Sequence, residues 1–238
     1  MFDYKQFYRR KLPHRHSPGG TLFITFRLAG SIPKALITQY KNEKFWLDNE
    51  IKRVEKLSAL ETDVSHNVSI HDLQLFYRNW FQKFEDILHK EVSGPVWLKN
   101  PKVADLVADG LKHRDGRDYK LKAFCIMANH VHVVFTPLLS TNSLKEVKGS
   151  NPLRFESIKP TLGAIMQSLK GYTARKANRI LLRDGQFWES ESYDHEVRND
   201  EELARIIRYV LNNPVKAGLV KNWGEWKWNW VASGFDQM

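Results

Sequence analysis

Runs of apolar residues along the chain predict short strands, and apolar residues at helical spacing predict helices between them. Thr21–Ala29 follows Pro18–Gly20 and is rich in β-branched and aromatic residues, as expected for a strand after a turn. Tyr119–Met127 and Val131–Thr136 are two further apolar runs with a turn at Ala128–Asn129 between them. These two runs predict an antiparallel pair of buried strands.

Apolar positions also recur at the three- and four-residue spacing of helices. The predicted helices cover residues 33–60, 72–88, 101–111, 158–182 and 200–213. Asn199 is the expected N-cap of the last helix, because Glu202 stands three residues later as in a capping box. Pro214 predicts the end of that helix, and Phe187–Tyr193 predicts a short strand before it.

The order of these elements favours an α+β fold in which an antiparallel ferredoxin-like sheet has helices packed on one side. A helical insertion is expected at about residues 33–94, within a single domain that covers residues 1–238. The Trp-rich tail, residues 221–238, is expected to be irregular or extended. Its indoles either cover exposed core, which is the preferred interpretation, or stack on unpaired bases.

Composition adds a first indication of function. The net charge of +10 over 238 residues favours a polyanionic partner such as nucleic acid. The chain has no apolar run long enough to span a membrane and no apolar segment typical of a secretory signal near its N-terminus. A single cysteine, Cys125, fits a reducing compartment. We therefore expect a cytoplasmic protein.

The candidate chemistry begins with two histidines in the second strand of the predicted pair. His130 and His132 are two residues apart, so a strand directs both rings to the same face, where both can reach one metal ion. Two polar residues on an exposed sheet face are the alternative. The apolar flanks on both sides favour the metal, because buried imidazoles are costly without partners. A second pair, His14 and His16, lies in a basic lead-in and is interpreted as a phosphate-contacting or solvated segment.

The last predicted helix carries a second candidate pair. Tyr209 and Asn213 are four residues apart and therefore lie on one face of the helix. A hydroxyl and an amide oxygen one turn apart suit a nucleophile beside a metal ligand. The alternatives are an amphipathic border position for Tyr209 and a helix cap for Asn213 before Pro214.

Three blocks of sequence together resemble REP-associated tyrosine transposases, within the HUH single-tyrosine transposases. Met127–Val134 (MANHVHVV) resembles their M-P-N-H-V-H motif, with Ala128 in place of the usual proline. Phe187–Asn199 is similar to their W-Q…Y-D-H-x-I-R-[DN] block, and Arg208–Gly218 to their Y-[IV]-x-x-N-P-V-[KR]-[AH]-G signature. The blocks occur in the family's order and span most of the chain.

The resemblance implies a DNA transposase and endonuclease that nicks and rejoins single-stranded or hairpin DNA through a 5′-phosphotyrosine. It implies that His130, His132 and Asn213 bind Mg²⁺ or Mn²⁺ and that Tyr209 is the nucleophile. Tyr193 is the second candidate nucleophile. The preferred DNA implied by the family is a repetitive extragenic palindrome.

Further residues are expected to support that chemistry. The residues expected to bind DNA are Arg175, Lys176, Arg179, Arg183 and Arg27. The first four are predicted to form a basic face on the helix that ends near Gly185. His195 and Glu196 are candidates for orienting groups near the site. The protein is expected to act as a monomer or homodimer.

Three other functions remain open at this stage. The main alternative is a non-catalytic DNA- or RNA-binding regulator that retains the fold. A metal-dependent phosphoesterase that uses water, and a replication-initiator or relaxase nicking enzyme, are the others.

Overall fold

The structure is a computed structural model that describes residues 7–9, 13–15, 17, 19–33, 94–138 and 161–235, with isolated positions between 35 and 88. The chain divides into two compact units, one formed by residues 1–28 and 97–238 and the other by residues 29–96. A single domain over residues 1–238 stays a prediction. Every strand that the structure describes belongs to the first unit, as does the candidate site.

A five-stranded antiparallel sheet forms the centre of the first unit, in the order β6-β3-β5-β4-β7. Its strands are β3 (Leu22–Arg27), β4 (Tyr119–Ile126), β5 (His130–Pro137), β6 (Tyr193–Glu196) and β7 (Asn229–Val231). A separate hairpin pairs β1 (Phe7–Arg9) with β2 (Pro13–Arg15). The side chains of His14 and His16 lie outside the described part of the chain.

Three helices pack on this sheet, and two 3₁₀ turns accompany them. The helices are α1 (Pro101–Lys112), α2 (Leu162–Ile180) and α3 (Asp200–Lys216), and the 3₁₀ turns are Trp97–Lys99 and Trp223–Glu225. The order β3-α1-β4-β5-α2-β6, with β3 and β5 central, is the ferredoxin-like arrangement. The predicted α+β fold is therefore confirmed.

The two faces of the sheet differ because alternate residues of each strand point to opposite sides. Ile24 and Phe26 of β3 and Val133 of β5 belong to one hydrophobic cluster, which also contains the buried residues of α1 and α2. We call this side the core face.

The opposite side is called the site face, because it carries Thr25 and His132, which are paired between β3 and β5. Helix α3 covers this side. Its Leu211 carbonyl accepts a hydrogen bond from the Asn229 side chain, and Asn229 pairs with Cys125 in the same row as His132. The prediction that the helices share one side of the sheet is correct for α1 and α2 and wrong for α3.

Helix α3 begins where the sequence predicts and ends later. The Asn199 side chain accepts a hydrogen bond from the Glu202 backbone N–H at 2.8 Å, as an N-cap does. Pro214 lies inside the helix, which continues to Lys216. A proline removes one backbone donor. After Pro214, the Ala217 N–H still donates a helical hydrogen bond to the Asn213 carbonyl.

The segment before β6 corrects two predictions. The strand expected over Phe187–Tyr193 is Tyr193–Glu196 instead, and Trp188 forms only an isolated bridge with Leu28. Both aromatic residues are buried in a loop, because Phe187 stacks on Trp97 and the Trp188 indole donates to Thr173. Their apolar character reflects anchoring to the core and not strand formation.

Helix α2 ends at Ile180, five residues before Gly185. The backbone of Leu182 has a φ of 50°, a left-handed conformation that terminates helices and that L residues other than glycine rarely adopt. The termination leaves Arg183 outside the helix. The predicted basic face therefore includes Arg175, Lys176 and Arg179 on α2 but not Arg183.

The Trp-rich tail docks on the edge of the sheet through β7. The Trp228 indole donates to Asp105 of α1 at 2.9 Å, and the Trp230 ring stacks on Phe124 at 5.9 Å. Trp226 donates to the Ile126 carbonyl. The tail adds a fifth strand and covers the core face at this edge, as the preferred interpretation expected.

In the second unit, every described position between residues 35 and 88 is helical, in keeping with the predicted helical insertion. Most of the apolar stripe predicted for residues 72–88 lies outside the described residues. Ile87 and Leu88 are described, and Leu88 is fully buried. None of the helices that the structure describes is long and apolar enough to cross a membrane.

Candidate functional site

The site is built on the central strands of the sheet, where two histidines stand side by side. His130 is 1% exposed and His132 is fully buried, and their rings meet edge to face at 4.7 Å. Both residues follow the tight turn at Ala128–Asn129, and β5 then directs both rings to the site face. The two Nε2 atoms lie 3.0 Å apart.

Each ring is held at its other nitrogen. His130 Nδ1 is 2.6 Å from Asn129 Oδ1, and His132 Nδ1 is 2.8 Å from Thr25 Oγ1. Thr25 lies directly opposite His132 in the β3–β5 pairing. The partners leave both Nε2 atoms facing each other across the site.

The histidine pair has the geometry of two neighbouring ligands of one ion. In an octahedron with bonds of about 2.0–2.1 Å, adjacent ligand atoms are roughly 3 Å apart, and the two Nε2 atoms are 3.0 Å apart. Metal-bound histidines ordinarily have their second nitrogen hydrogen-bonded, as both do here. The residues therefore fit a divalent ion. Among the described residues, no three His, Cys, Asp or Glu side chains come together.

An aromatic cluster joins the candidate nucleophile to the histidines. The ring of Tyr209, on α3, is 5.7 Å from that of His132 and 6.0 Å from that of Phe23. Phe23 also stacks on His132 and contacts Tyr193 edge-on. The structure thus brings both tyrosine candidates to the same phenylalanine, and the Tyr209 ring also contacts that of His132.

Asn213 lies one turn after Tyr209 on α3 and is buried. Its side-chain nitrogen donates to the Tyr209 carbonyl at 3.0 Å. That bond fixes the amide against its own helix, and an amide oxygen is an atom suited to binding a cation. Its role as the third ligand stays a prediction.

Arg27 is next to the histidines but is not exposed. It pairs with His130 in the sheet register, and its guanidinium contacts Glu189 at 3.3 Å. Burial lowers the pKa of Arg27, and Glu189 partly offsets that effect. The expected contact of this buried cation with DNA stays a prediction.

The two candidate orienting groups point to opposite sides of β6. His195 is paired with Phe23 and contacts Glu202 of α3 at 3.1 Å. Glu196 instead accepts a hydrogen bond from the Ser17 backbone N–H at 2.9 Å. Of the two, His195 shares the site face, and Glu196 tethers the chain before β3.

The basic face of α2 lies on the other side of the sheet from the histidines. Helix α2 packs on the core face, and Arg175, Lys176 and Arg179 are exposed to solvent. Lys176 lies over the Tyr172 ring at 5.0 Å. Arg183, beyond the helix, is half-buried over the Trp97 ring at 3.7 Å. A DNA strand that contacted both the helix and the histidines would have to pass around the edge of the sheet.

Phe23 and Thr25 are site residues that were not predicted from the sequence. Both belong to an apolar strand whose pairing partner is about a hundred residues away, so no local pattern marks them. Asn129 was placed only in the turn, although it belongs to the motif block that contains His130.

The ferredoxin-like sheet thus carries a buried H-x-H pair, with a tyrosine on the helix that covers it. No family model matches the chain. Over 111 residues, 47% of its length, the chain is 25% identical to a Haemophilus influenzae protein named "Putative REP-associated tyrosine transposase". The match spans 58% of that relative's length. The resemblance to REP-associated tyrosine transposases is thereby supported by a second line of evidence.

A solved structure of a REP-associated tyrosine transposase bound to a REP hairpin is also similar. The TM-score is 0.43 at 15% identity, and the alignment covers 93% of this chain and 80% of the other.

Proposed function

We propose that the protein is a metal-dependent transposase and endonuclease that nicks and rejoins single-stranded or hairpin DNA through Tyr209. The observation that carries this proposal is the buried histidine pair with Nε2 atoms 3.0 Å apart and the Tyr209 ring 5.7 Å from His132. The sequence relative supports the same class of activity.

His130, His132 and Asn213 would hold Mg²⁺ or Mn²⁺. When bound, such an ion neutralises charge on the non-bridging phosphate oxygens and orients the phosphate for attack. The donor set is chemically reasonable for Mn²⁺, which accepts imidazole nitrogen together with amide oxygen. Two imidazoles and one amide leave room for substrate oxygens.

Tyr209 supplies the covalent step. Its hydroxyl loses a proton and its oxygen forms a bond to phosphorus, while the bond from phosphorus to the 3′-oxygen breaks and that oxygen takes up a proton. The products are a 5′-phosphotyrosine and a free 3′-hydroxyl. Because the phosphotyrosine retains a phosphodiester bond, attack by another 3′-hydroxyl rejoins DNA without a nucleotide cofactor.

The position of Tyr209 is suited to this role because the ring is confined and the helix is anchored. Phe23 packs edge-on against the ring, and Asn229 donates to the Leu211 carbonyl two residues later in α3. A nucleophile held in this way loses little freedom when the phosphate arrives.

DNA is the proposed substrate because the chain carries a net charge of +10 and an exposed basic face on α2. Repetitive extragenic palindromes are the proposed target, since the relative is named for its association with REP sequences. The salt dependence of binding would report how many of the basic residues contact phosphate.

A non-catalytic nucleic-acid-binding regulator is the second candidate. One observation favours it: the exposed cations of α2 lie on the side of the sheet away from the histidines. That face could bind DNA without any contribution from the site.

Incubation with 3′-labelled hairpin DNA and Mn²⁺, followed by a denaturing gel, separates the two candidates, because the strand that carries the 3′ end stays attached to the tyrosine. We expect a covalent adduct with the wild-type protein and none with Tyr209→Phe, which lacks only the attacking oxygen. Tyr193→Phe is the matched control, because Tyr193 contacts the same phenylalanine. An adduct from Tyr209→Phe would contradict the assignment, and hairpin binding without any adduct from the wild type would favour the regulator.

A further inference from the structure

We propose that Thr25 and Asn129 are positioning residues that hold the two histidines ready for one metal ion, a role that rests on the proposed function. Both are 3% exposed, and each contacts the Nδ1 atom of a different ring. Asn129 presents an amide oxygen to His130, and Thr25 presents a hydroxyl to His132.

Asn129 determines which nitrogen of His130 carries the proton. An amide oxygen only accepts hydrogen bonds, so the contact of 2.6 Å requires Nδ1 of His130 to be the donor. The neutral ring then has a lone pair at Nε2. Asn129 itself is held by the backbone bond from Leu28 N–H to its carbonyl at 2.8 Å. Its position thus depends on the β3–β5 pairing and not on solvent.

His132 has the opposite arrangement before an ion enters. When both rings are neutral, His130 Nε2 presents a lone pair, so the 3.0 Å contact between the rings places the proton on His132 Nε2. His132 Nδ1 is then an acceptor, and the Thr25 hydroxyl donates to it across 2.8 Å. Each of the three hydrogen bonds, from Asn129 through the two rings to Thr25, then has one donor and one acceptor.

An ion between the rings needs both Nε2 lone pairs. The proton of His132 must therefore be carried by Nδ1 in the metal-bound form, and the ring keeps the same charge. Thr25 can serve in both forms, because a hydroxyl donates or accepts by rotating. An amide oxygen opposite His132 could accept only, and a valine could do neither. The hydroxyl thus suits the ring whose tautomer must change.

The fold keeps both partners in place. Thr25 lies in the middle of β3, paired with His132 on one side and with Tyr193 on the other. A residue fixed between two strands orients a ring with little loss of entropy on metal binding. The same register connects Thr25 to both the metal site and the second tyrosine.

Mn²⁺ affinity of the full chain, measured by electron paramagnetic resonance without DNA, tests the proposal. Thr25→Val keeps the shape of the side chain and removes the hydroxyl, and we expect Mn²⁺ binding to weaken about 10- to 100-fold. Thr25→Ser keeps the hydroxyl and should bind within about threefold of the wild type. Asn129→Ala should weaken binding to a similar extent, and Asn129→Asp, which retains an acceptor oxygen, should not.

The outcomes distinguish this inference from the proposed function. If the wild type does not bind Mn²⁺, the metal role in the proposed function fails. If the wild type binds and Thr25→Val binds equally well, the positioning role alone is overturned. If the thermal melt shows that Thr25→Val does not fold, the comparison of Asn129→Ala with Asn129→Asp tests the positioning role instead. Equal weakening by Thr25→Ser and Thr25→Val would show that packing at this position matters and the hydroxyl does not.

Discussion

The two faces of the sheet differ in the polarity of their buried side chains. On the core face, the described side chains of the central strands are apolar, as Phe26, Val133 and Phe135 illustrate. On the site face, Thr25, His130 and His132 are equally buried yet polar. Burial of polar groups costs free energy unless each has a partner. The comparison indicates that burial on the core face supplies stability and that part of this stability offsets the cost of burying the polar groups of the site face.

The largest expected effect is on stability, and it compares two substitutions in β5, one on each face of the sheet. Phe135→Ala removes a fully buried ring from the core face and should lower the free energy of unfolding by about 3–5 kcal/mol. His132→Ala, three residues earlier on the site face, should cost less, because it also removes a buried polar group. Urea unfolding of both variants measures the difference.

The effects of the same two substitutions on Mn²⁺ binding should have the reverse order of their effects on stability. Below its melting temperature, Phe135→Ala should retain Mn²⁺ binding, whereas His132→Ala should lose it. A larger loss of stability from His132→Ala than from Phe135→Ala would contradict the division of roles between the faces.

The C-terminal tail contributes to both faces and gives an intermediate effect. Trp228 and Trp230 pack against the hydrophobic cluster, and Asn229 between them donates to α3. Truncation after Lys221 should therefore lower the melting temperature by several degrees, since partly buried indoles and a strand are lost. A truncated protein that melts like the wild type but binds single-stranded DNA tenfold more weakly would indicate a base-stacking arm instead.

The smallest effect expected is an acid sensitivity on the site face. Burial lowers the pKa of His195 below its ordinary value of 6.5, although Glu202 opposes the shift. The unfolded chain then binds this proton more readily than the folded one, so the free energy of unfolding should decrease as the pH falls below about 6.5.

Glu202 acts in the same direction at lower pH. Burial raises its pKa, but the Arg198 backbone N–H and His195 outweigh burial, and the net shift is below 4.5. The stability that Glu202 contributes is present above pH 4.5 and is lost as the pH falls through its folded pKa. Urea midpoints measured from pH 8 down to about pH 3 should show both phases, and His195→Gln should remove the upper one. An unchanged upper phase in that variant would assign it to another group.

Local features of the fold could be predicted from sequence, and long-range features could not. The N-cap Asn199 and the strands β3, β4 and β5 follow from neighbouring residues, and the structure confirms them. The passage of α3 through Pro214 was missed, because a proline is expected to end a helix, whereas Pro214 is buried inside this one.

The candidate site shows the same limit. The H-x-H spacing and the Tyr209–Asn213 spacing are local patterns, so they could be read directly from the chain. The partners Thr25 and Phe23 depend on the β3–β5 register, which no short pattern encodes. The face occupied by α3 could not be predicted either, because an amphipathic helix fits both sides of a sheet equally well.

The pairing of Thr25 with His132 also has a consequence for how the protein folds. The two residues are 107 positions apart in the chain, and residues 29–96 form a compact unit within that interval. Contacts between distant segments are slow to form, because a long loop must close before they are gained. Tyr209 comes still later in the chain. The histidine site should therefore form only in the last stage of folding, after most of the polypeptide has been synthesised. A partly synthesised chain should lack the assembled site.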